Sequence, residues 1–333
     1  MPRSPSGTIY SGVGRLASAE AGWGLTVGNF DGVHVGHRTI VDCLCGLVHP
    51  QGLPAVAVTF DPHPATVLRP QGPPPPLTQI SRRVEMLLGL GLDAVVVLDT
   101  TPALLQYPAE TFYSEVLCRC LHARAFVEGE DFRFGAGRQG TIDQLETWAA
   151  RDGLGFAAVR AVQVADEAVS SSRIRELVTA GKVAAASVLL GASYEIVGTV
   201  VTGQRRGAGL GFPTANLNDV GTLLPADGVY AGIATTAAGQ RCAAAIHVGK
   251  NLTFGATAAT VEAHLIGFTG DLYGQRLTVS FVEQLRQTQQ FAGVEALVAQ
   301  LQHDVMAASA VTALMIETPP PEQVSFTISR FSG

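Results

Sequence analysis

The chain passes from an apolar strand into a helix within Val27-Gly28-Asn29-Phe30-Asp31-Gly32-Val33-His34-Val35-Gly36-His37. His34 and His37 are three residues apart, so both imidazoles lie on one helical face. The helix N-terminus beside them offers unpaired backbone N–H groups and a partial positive charge. Gly36 lets a ligand approach the backbone closely. Imidazoles beside bare amides suit a phosphate, especially an α-phosphate that gains charge during a displacement reaction.

The histidine pair taken alone also fits an ordinary exposed helix start or half of a metal site. The whole run, however, resembles the HxGH signature of the nucleotidyltransferase superfamily, in the form found in prokaryotic FAD synthetases. The resemblance implies that His34 and His37 stabilise the transition state at the α-phosphate of ATP. It also implies a nucleotide-binding segment formed by Gly28, Asn29, Phe30, Asp31 and Gly36.

Length and composition predict a cytoplasmic protein of about two domains. The 333 residues are 47% hydrophobic and 15% charged, which is typical of compact globular domains. A net charge of −6 gives no support for a nucleic-acid-binding surface. We find no signal peptide in residues 1–20 and no run long enough to span a membrane. An odd number of cysteines, five, indicates reduced thiols.

Short apolar strands alternate with helices in the first half, which predicts an α/β domain with a doubly wound parallel sheet. The predicted strands are Leu25–Val27, Ala55–Phe60, Ala94–Leu98, Ala125–Glu128 and Phe156–Val162. The predicted helices are Thr39–Val48, Arg82–Leu90, Ala109–Leu121 and Ile142–Arg151. Ligands of such sheets bind at the carboxyl ends of the strands, where the histidine pair falls.

The second half is all-β in character and predicts a small barrel followed by a helix. Its predicted strands are Glu195–Val201, Gly228–Thr235, Ala243–Val248, Val261–Gly267 and Leu277–Glu283, and its helix is Val294–Met306. Two short helices precede it. Residues Ser170–Arg175 open the first, with Ser170 or Ser171 as its N-cap, and the second spans Val183–Leu190. We expect domains at 1–186 and 187–306, with a tail of unknown role at 307–333, in which Gln323–Phe331 alternates weakly as a strand does.

Three further segments of the first half suit nucleotide and flavin binding. They are Thr59-Phe60-Asp61-Pro62-His63-Pro64, Gly129-Glu130-Asp131-Phe132-Arg133-Phe134-Gly135 and Ser170-Ser171-Ser172-Arg173-Ile174-Arg175. Each alone also fits a turn, an aromatic plug or a helix cap. All three resemble the corresponding FAD synthetase motifs. The resemblance implies that Ser171, Ser172 and the catalytic Arg173 grip the ATP phosphates, and that the flavin lies near Asp61, His63, Asp131 and Phe132.

The second half has a glycine-rich basic loop, Gly203 to Asn216, that suits an anion. Thr214 and Asn216 lie on one strand face and offer oxygens to a hard cation such as Mg²⁺. By composition alone the segment could be an ordinary flexible loop. Its end, Gly211-Phe212-Pro213-Thr214-Ala215-Asn216, closely resembles the riboflavin kinase signature, and so do Leu224-Pro225, Gly228-Val229-Tyr230, Val261-Glu262-Ala263-His264 and Leu285-Arg286.

The riboflavin kinase resemblance implies a six-stranded barrel with a terminal helix that binds riboflavin, ATP and Mg²⁺. Glu262 would be the general base for the ribityl hydroxyl. Arg286 would lie in a flap at the flavin, and Thr214 and Asn216 would hold Mg²⁺. Phosphate binding would fall on Gly203, Arg206, Gly207, Gly211 and Pro213.

Residues 25–305 therefore resemble the bifunctional riboflavin kinase/FMN adenylyltransferases, with small-molecule substrates riboflavin, FMN and ATP. The chain departs from the family at Lys250-Asn251-Leu252-Thr253-Phe254 and at Gln287-Thr288-Gln289-Gln290. Three other possibilities stay open on the sequence alone. Only one half, more readily the transferase, could be active, or the chain could be a non-catalytic flavin-binding protein. A cytidylyltransferase would suit the HxGH motif but leaves the second half unexplained.

Overall fold

The computed structural model describes residues 6–12, 22–68, 72–203, 206–250, 259–317 and 326–332. The chain packs as two compact units. The first comprises Met1–Pro74, Gln79–Val169 and Pro321–Gly333, and the second comprises Pro75–Thr78 and Ser170–Pro320. The family departure at residues 251–254 and part of the predicted tail, residues 318–325 and 333, lie outside the described residues.

Seventeen strands are present in the described residues. They are β1 Ser6–Gly12, β2 Trp23–Val27, β3 Ala55–Asp61, β4 Ala94–Asp99, β5 Ala123–Gly129, β6 Arg133–Phe134, β7 Gly140–Thr141, β8 Gly155–Val159, β9 Gln163–Val164, β10 Glu167–Ala168, β11 Tyr194–Val201, β12 Ala215–Asn218, β13 Gly228–Thr236, β14 Arg241–Lys250, β15 Ala259–Leu265, β16 Arg276–Arg286 and β17 Phe326–Ser332.

Ten α-helices are present in the same part of the chain. They are α1 Val35–Val48, α2 Pro64–Leu68, α3 Ile80–Gly89, α4 Pro102–Leu105, α5 Ala109–Thr111, α6 Ile142–Arg151, α7 Ser171–Thr179, α8 Val183–Leu190, α9 Arg206–Gly209 and α10 Val294–Glu317. A π-helix spans Phe112–Cys120, and 3₁₀ turns span His49–Gln51 and Ala136–Arg138. No helix in the described residues is long and apolar enough to cross a membrane.

The first unit is built on a seven-stranded sheet in the order β17-β1-β4-β3-β2-β5-β8. The strands β4, β3, β2, β5 and β8 pair in parallel, which confirms the predicted doubly wound α/β domain. Two antiparallel strands that the sequence did not place there extend one edge. β1 pairs with β4, and β17 from the other end of the chain pairs with β1.

Both faces of this sheet are covered, so its inner strands are apolar throughout rather than alternating. On β3, Val56 and Val58 pack into one core with Tyr113 and Phe126. Ala55 and Ala57, which alternate with these valines along β3, face the opposite side of the sheet. They pack into a second core with residues of α1 and α3, namely Val41, Leu44, Val48, Val84, Leu87 and Leu88. The two cores hold the carboxyl ends of β2, β3 and β5 along one edge of the sheet.

The second unit is a closed six-stranded antiparallel barrel in the order β11-β12-β15-β14-β13-β16, with α10 packed on β13 and β14. This confirms the predicted barrel and terminal helix. The helix is longer than predicted because it runs on to Glu317. The predicted tail thus holds the end of a helix and the strand β17, while the predicted domain boundary near residue 186 stays a prediction.

Candidate active sites

The first candidate site lies at the end of β2, which has β3 and β4 on one side in the sheet and β5 and β8 on the other. β2 stays paired with β3 as far as Val27 and Val58, but its register with β5 ends at Leu25 and Phe126. Beyond that point the buried Glu128 carboxylate takes the place of a backbone partner and accepts the Val27 N–H at 2.7 Å. Burial raises the pKa of Glu128 well above its ordinary value. In open α/β sheets such a topological switch point forms a ligand crevice.

The two histidines begin α1 at this crevice. His34 is the N-cap, and its Nδ1 accepts the backbone N–H of His37 at 3.4 Å. The imidazoles of His34 and His37 are stacked, with ring centroids 3.6 Å apart, and the Phe30 ring meets His37 edge-on at 5.2 Å. Helix α1 therefore begins earlier than the predicted Thr39, because the histidine itself supplies the cap.

Both imidazoles are neutral at pH 7. Burial lowers the pKa of His34 to about 4, against the opposing effect of the Asp31 and Asp131 carboxylates. Burial, together with the neighbouring His34 and Arg83, lowers the pKa of His37 well below its ordinary value. His37 Nδ1 is buried and has no hydrogen-bond partner among the described residues. A buried polar atom without a partner is costly, and a bound phosphate oxygen would relieve that cost.

The loop before the histidines is held in a strained conformation. Phe30 and Val33 have positive φ angles of 48° and 42°, which side-chain-bearing residues rarely adopt. Both are buried in the second core, and the buried Asp31 carboxylate lies 3.3 Å from Arg83 Nη2 on α3. Packing and an ion pair thus fix a backbone that would otherwise relax, as is typical of functional loops.

The flavin-assigned residues follow neighbouring strands of the same sheet edge. Asp61 ends β3 and is exposed, and the His63 Nδ1 accepts the Ala65 N–H at 3.0 Å. Asp131 follows β5, close enough to His34 for its charge to act on that imidazole. The ring of Phe132 stacks on Phe134, with centroids 5.3 Å apart. The fold thus places these segments and the histidines at the carboxyl ends of three adjacent strands.

The predicted phosphate-gripping residues begin helix α7, which packs in the second unit. The Ser170 hydroxyl caps the helix and accepts the Arg173 N–H at 3.2 Å, so Ser170 is the cap of the two serines that the sequence left open. Ser171 and Ser172 form the first turn. The Arg173 guanidinium lies on the surface, 3.0 Å from Glu176.

The second candidate site begins with the glycine-rich loop before β12. Arg206 opens α9, and the Gly207 carbonyl accepts the N–H groups of Leu210 and Phe212 at 3.0 and 2.8 Å, which makes a tight turn. Gly211 has a φ of +88°, which favours glycine. At Gly203 a Cβ atom would lie 2.3 Å from the Asn216 side chain, so glycine is needed there for space.

Oxygen atoms converge just after this loop. Thr214 Oγ1 donates to Glu262 Oε2 at 3.4 Å, and Asn216 on β12 lies directly opposite Glu262 on β15. Pro213 contributes its carbonyl, which lies 2.7 Å from His264 Nδ1. A hydroxyl, a carboxamide and a carboxylate are hard donors of the kind that Mg²⁺ prefers. This donor set fits the predicted magnesium site.

A cavity of about 280 Å³ opens beside these oxygens, between the barrel and α10. Its walls are largely apolar, with the side chains of Leu210, Phe212, Val229, Phe291, Leu297, Leu301 and Val305. Arg286 enters it from β16 and is held by Asp304 of α10, with Nη2 to Oδ2 at 2.7 Å and Nε to Oδ1 at 3.0 Å. Its guanidinium also lies over the Phe291 ring, 5.7 Å from the centroid.

Four residues of these sites were missed by sequence reasoning. Glu128 and Arg83 support the first site, and His247 and Asp304 line the second. Arg83 and Asp304 meet their partners 52 and 18 positions away in the sequence, so only the fold brings each pair together. His247 carried one usable signal, because it lies only three residues before Lys250, where the chain begins to depart from the riboflavin kinases.

Comparison with known proteins accounts for both units. A family model described as FAD synthetase matches residues 17–173, and one described as riboflavin kinase matches residues 190–312. A bifunctional riboflavin kinase/FMN adenylyltransferase of Pseudomonas fluorescens is 34% identical over 306 residues, covering 92% of this chain and 98% of the relative. The chain belongs to this bifunctional family. The bifunctional riboflavin kinase/FMN adenylyltransferase of Escherichia coli K12 is 30% identical over 302 residues, covering 90% of this chain and 96% of its own length.

A solved structure extends the likeness to the fold. A crystal structure described as a macrolide-efflux protein from Streptococcus pneumoniae is similar to this chain, with a TM-score of 0.80 and 30% sequence identity. The match covers 86% of this chain and 93% of that one. The bifunctional family is therefore supported by sequence over most of the chain, and the fold by a solved neighbour of nearly the same extent.

Proposed function

We propose that this chain carries out both reactions of the bifunctional riboflavin kinase/FMN adenylyltransferase family, with ATP as co-substrate in each. The second unit phosphorylates riboflavin to FMN, and the first unit adenylates FMN to FAD and releases pyrophosphate. The observation that carries the proposal is the pair of sites itself. A neutral, stacked histidine pair lies at a helix start in one unit, and oxygen donors lie beside an apolar cavity in the other.

In the adenylyltransferase reaction an FMN phosphate oxygen attacks the α-phosphorus of ATP, and pyrophosphate leaves. His34 and His37 donate hydrogen bonds from neutral imidazoles to the α-phosphate as negative charge builds up on it. The buried His37 Nδ1, which has no partner within the described structure, is one atom available for this role. The reaction needs positioning and electrostatic stabilisation rather than a covalent intermediate.

The remaining residues of the first site bind and orient the substrates. The nucleotide lies along the segment formed by Gly28, Asn29, Phe30, Asp31 and Gly36. That Ser171, Ser172 and Arg173 grip the ATP phosphates stays a prediction from the family resemblance. The flavin lies near Asp61, His63, Asp131 and Phe132. The N-terminus of α1 supports phosphate binding at this segment, because its free N–H groups and dipole favour an anion.

In the kinase reaction Glu262 removes the proton of the ribityl hydroxyl, and the oxygen attacks the γ-phosphorus of ATP while ADP leaves. The glycine-rich loop with Gly203, Arg206, Gly207, Gly211 and Pro213 cradles the ATP phosphates. The apolar cavity takes the flavin ring system, and Arg286 lies at its wall. Hydrophobic walls with a few directed polar groups are typical of ligand sites.

Thr214 and Asn216 would hold Mg²⁺ at the kinase site. When bound, the ion screens the charge of the ATP phosphates. The chemistry of the donors, a hydroxyl and a carboxamide beside a carboxylate, supports the assignment. We also place the protein in the cytoplasm, which is supported by its five cysteines, all of them free thiols.

Two variants separate the activities. We expect Glu262→Gln to lower riboflavin phosphorylation about 10²-fold or more, because the base is lost, while FAD formation from added FMN continues. We expect His37→Ala to make FMN but to lose FAD formation by a factor of about 10² or more. The exposed His303 on α10 supplies the control variant His303→Asn, which should keep both activities. Chromatographic separation of riboflavin, FMN and FAD measures all three.

The assignment of units would be wrong if Glu262→Gln instead lost FAD formation from FMN, or if His37→Ala lost riboflavin phosphorylation. Either result would assign the reactions to the opposite units. Retention of full wild-type activity in both variants would remove these two residues from the chemistry.

A further inference from the structure

The sheet of the first unit divides into two parts beyond the middle of β2. On one side β2 stays paired with β3 through Val27, and on the other β5 stays paired with β8 through Gly129. Between β2 and β5 themselves the register ends at Leu25 and Phe126. The two halves of the sheet therefore separate where the first candidate site begins.

The backbone of β2 leaves one N–H group facing the gap between the two halves. Successive N–H groups of a strand inside a sheet point alternately to its two neighbours. The Gly28 N–H donates to the Val58 carbonyl on β3 at 2.9 Å, so the N–H of Val27 points towards β5. A buried backbone N–H without an acceptor is costly, and this group therefore needs a partner across the gap.

Glu128 of β5 supplies that partner from its side chain. Its Oε1 accepts the Val27 N–H at 2.7 Å, and the residue is only 2% exposed. Neighbouring strands joined by backbone hydrogen bonds lie about 4.8 Å apart. An acceptor at the end of a side chain bridges a wider gap, because Cβ, Cγ and Cδ lie between it and its own backbone. Glu128 thus satisfies the Val27 N–H without drawing the two strands together.

Glu128 can occupy this buried position because it need not carry a charge. Burial raises its pKa well above the ordinary value, and the hydrogen bond from the Val27 N–H opposes that shift only in part. A neutral carboxyl group still accepts an N–H at its carbonyl oxygen. The side chain therefore works as an uncharged spacer between β2 and β5.

The bonded N–H directly precedes the proposed nucleotide-binding segment, which begins at Gly28. On the β3 side this stretch is held by the bond from Gly28 to Val58. The Thr59 hydroxyl, also on β3, donates to the Asn29 carbonyl at 3.3 Å. Glu128 holds the same stretch from the β5 side. The start of the segment is therefore fastened to both halves of the sheet, and its place depends on how far apart they lie.

We propose that Glu128 is a positioning residue for adenylyl transfer, which keeps the ends of β2 and β5 apart and so fixes the nucleotide-binding segment at the crevice. This inference rests on the proposed function, in which the first unit adenylates FMN. Glu128 acts through the backbone of Val27 and not on the reacting atoms. Its effect falls on ATP more than on FMN, because Val27 leads into the segment assigned to the nucleotide.

The kinetics of FAD formation from FMN and ATP test this role in the full chain. Glu128→Ala removes acceptor and spacer, and we expect kcat/KM for ATP to fall about 10²-fold, because a misplacement of about 1 Å can cost that much. The KM for ATP should account for about tenfold of this, while the KM for FMN stays within about twofold. Glu128→Gln keeps a neutral acceptor of the same shape and should stay within about threefold of the wild type. The matched control is Glu146→Ala at an exposed glutamate of α6, which should keep wild-type kinetics.

The positioning role is overturned if Glu128→Ala keeps the wild-type kcat and KM for ATP, even when the variant is less stable. It is overturned equally if Glu128→Gln loses as much activity as Glu128→Ala, because the acceptor oxygen would then not be what matters. Where alanine unfolds the first unit, Glu128→Met keeps the bulk of the side chain without the acceptor. Its KM for ATP should rise in the same way, and a normal KM would overturn the role.

His37→Ala separates this inference from the proposed function on which it rests. If His37→Ala forms FAD at the wild-type rate, the assignment of the first site is wrong and the positioning role fails with it. If His37→Ala forms no FAD and Glu128→Ala has normal kinetics for ATP, the site assignment stands and only the positioning role is wrong. Phosphorylation of riboflavin serves in each variant as an activity that should not change.

Discussion

The buried Asp31–Arg83 ion pair should be a main support of the loop that carries the histidine pair. The Asp31 and Arg83 side chains are 2% and 6% exposed, and Asp31 Oδ1 lies 3.3 Å from Arg83 Nη2. Asp31→Asn removes the negative charge with little change of shape and leaves the guanidinium buried without this carboxylate. Removing one partner of a buried pair costs about 3–5 kcal/mol. We expect a loss of about 3 kcal/mol, because an amide oxygen can still accept a hydrogen bond.

Tryptophan fluorescence during urea unfolding measures this loss selectively. The chain has two tryptophans, and both Trp23 and Trp148 pack in the first core of the first unit. Arg83→Met and the double variant complete a thermodynamic cycle. Because the double variant leaves no buried charge from this pair, its loss should be smaller than the sum of the single losses by about 1.5 kcal/mol or more.

The reasoning would be refuted by a loss below about 1 kcal/mol for Asp31→Asn, which is typical of a solvent-exposed pair. Additive losses in the cycle would refute it equally, because they would mean that the two charges do not interact.

Two further predictions concern the charges at the sites. Asp304→Asn removes the anion that holds Arg286 by three hydrogen bonds of 2.7 to 3.2 Å. We expect the KM for riboflavin to rise about tenfold while FAD formation from FMN is unchanged, and an unchanged KM would show that this ion pair does not support flavin binding. His34 has a pKa of about 4 in the folded protein against 6.5 ordinarily, so the unfolded chain binds its proton more readily. Above pH 6.5 the imidazole is neutral in both states and has no effect on stability through its titration, but the free energy of unfolding falls by about 3 kcal/mol towards pH 4; the urea midpoint of the wild type should therefore drop relative to that of His34→Gln over this range, and parallel curves would contradict the shift.

The inner sheet and the barrel were predictable because their strands carry strong local signals. The apolar runs at Ala55–Phe60 and Ala94–Leu98 lie within β3 and β4, and Ile142–Arg151 and Val183–Leu190 match their helices residue for residue. Burial on both faces of a parallel sheet produces such runs directly from packing.

The edge of the sheet was not predictable in the same way. β1 reads Ser-Gly-Thr-Ile-Tyr-Ser-Gly over Ser6–Gly12, so Ile9 and Tyr10 are its only large apolar or aromatic residues, and β17 lies more than 300 residues further along the chain. Their pairing is set by registers with distant strands, Tyr10 with Val95 and with Ile328. A short strand of low hydrophobicity gives little local indication of a partner so far away in the sequence.

The residues of the two sites also fall into those with a local sequence signal and those without one. Contiguous motifs such as the histidine turn and the glycine-rich loop could be found in the sequence, since neighbouring residues carry the chemistry. Three of the residues that support them, Arg83, Glu128 and Asp304, reach the sites through long-range packing, and no local spacing marks them.

A time course of the purified protein with riboflavin, ATP and Mg²⁺ tests the central claim most directly, with riboflavin, FMN and FAD separated by chromatography. The account predicts that FMN rises first and that FAD then accumulates as FMN is consumed. If neither riboflavin nor added FMN were converted, both the kinase and the adenylyltransferase assignments would be contradicted.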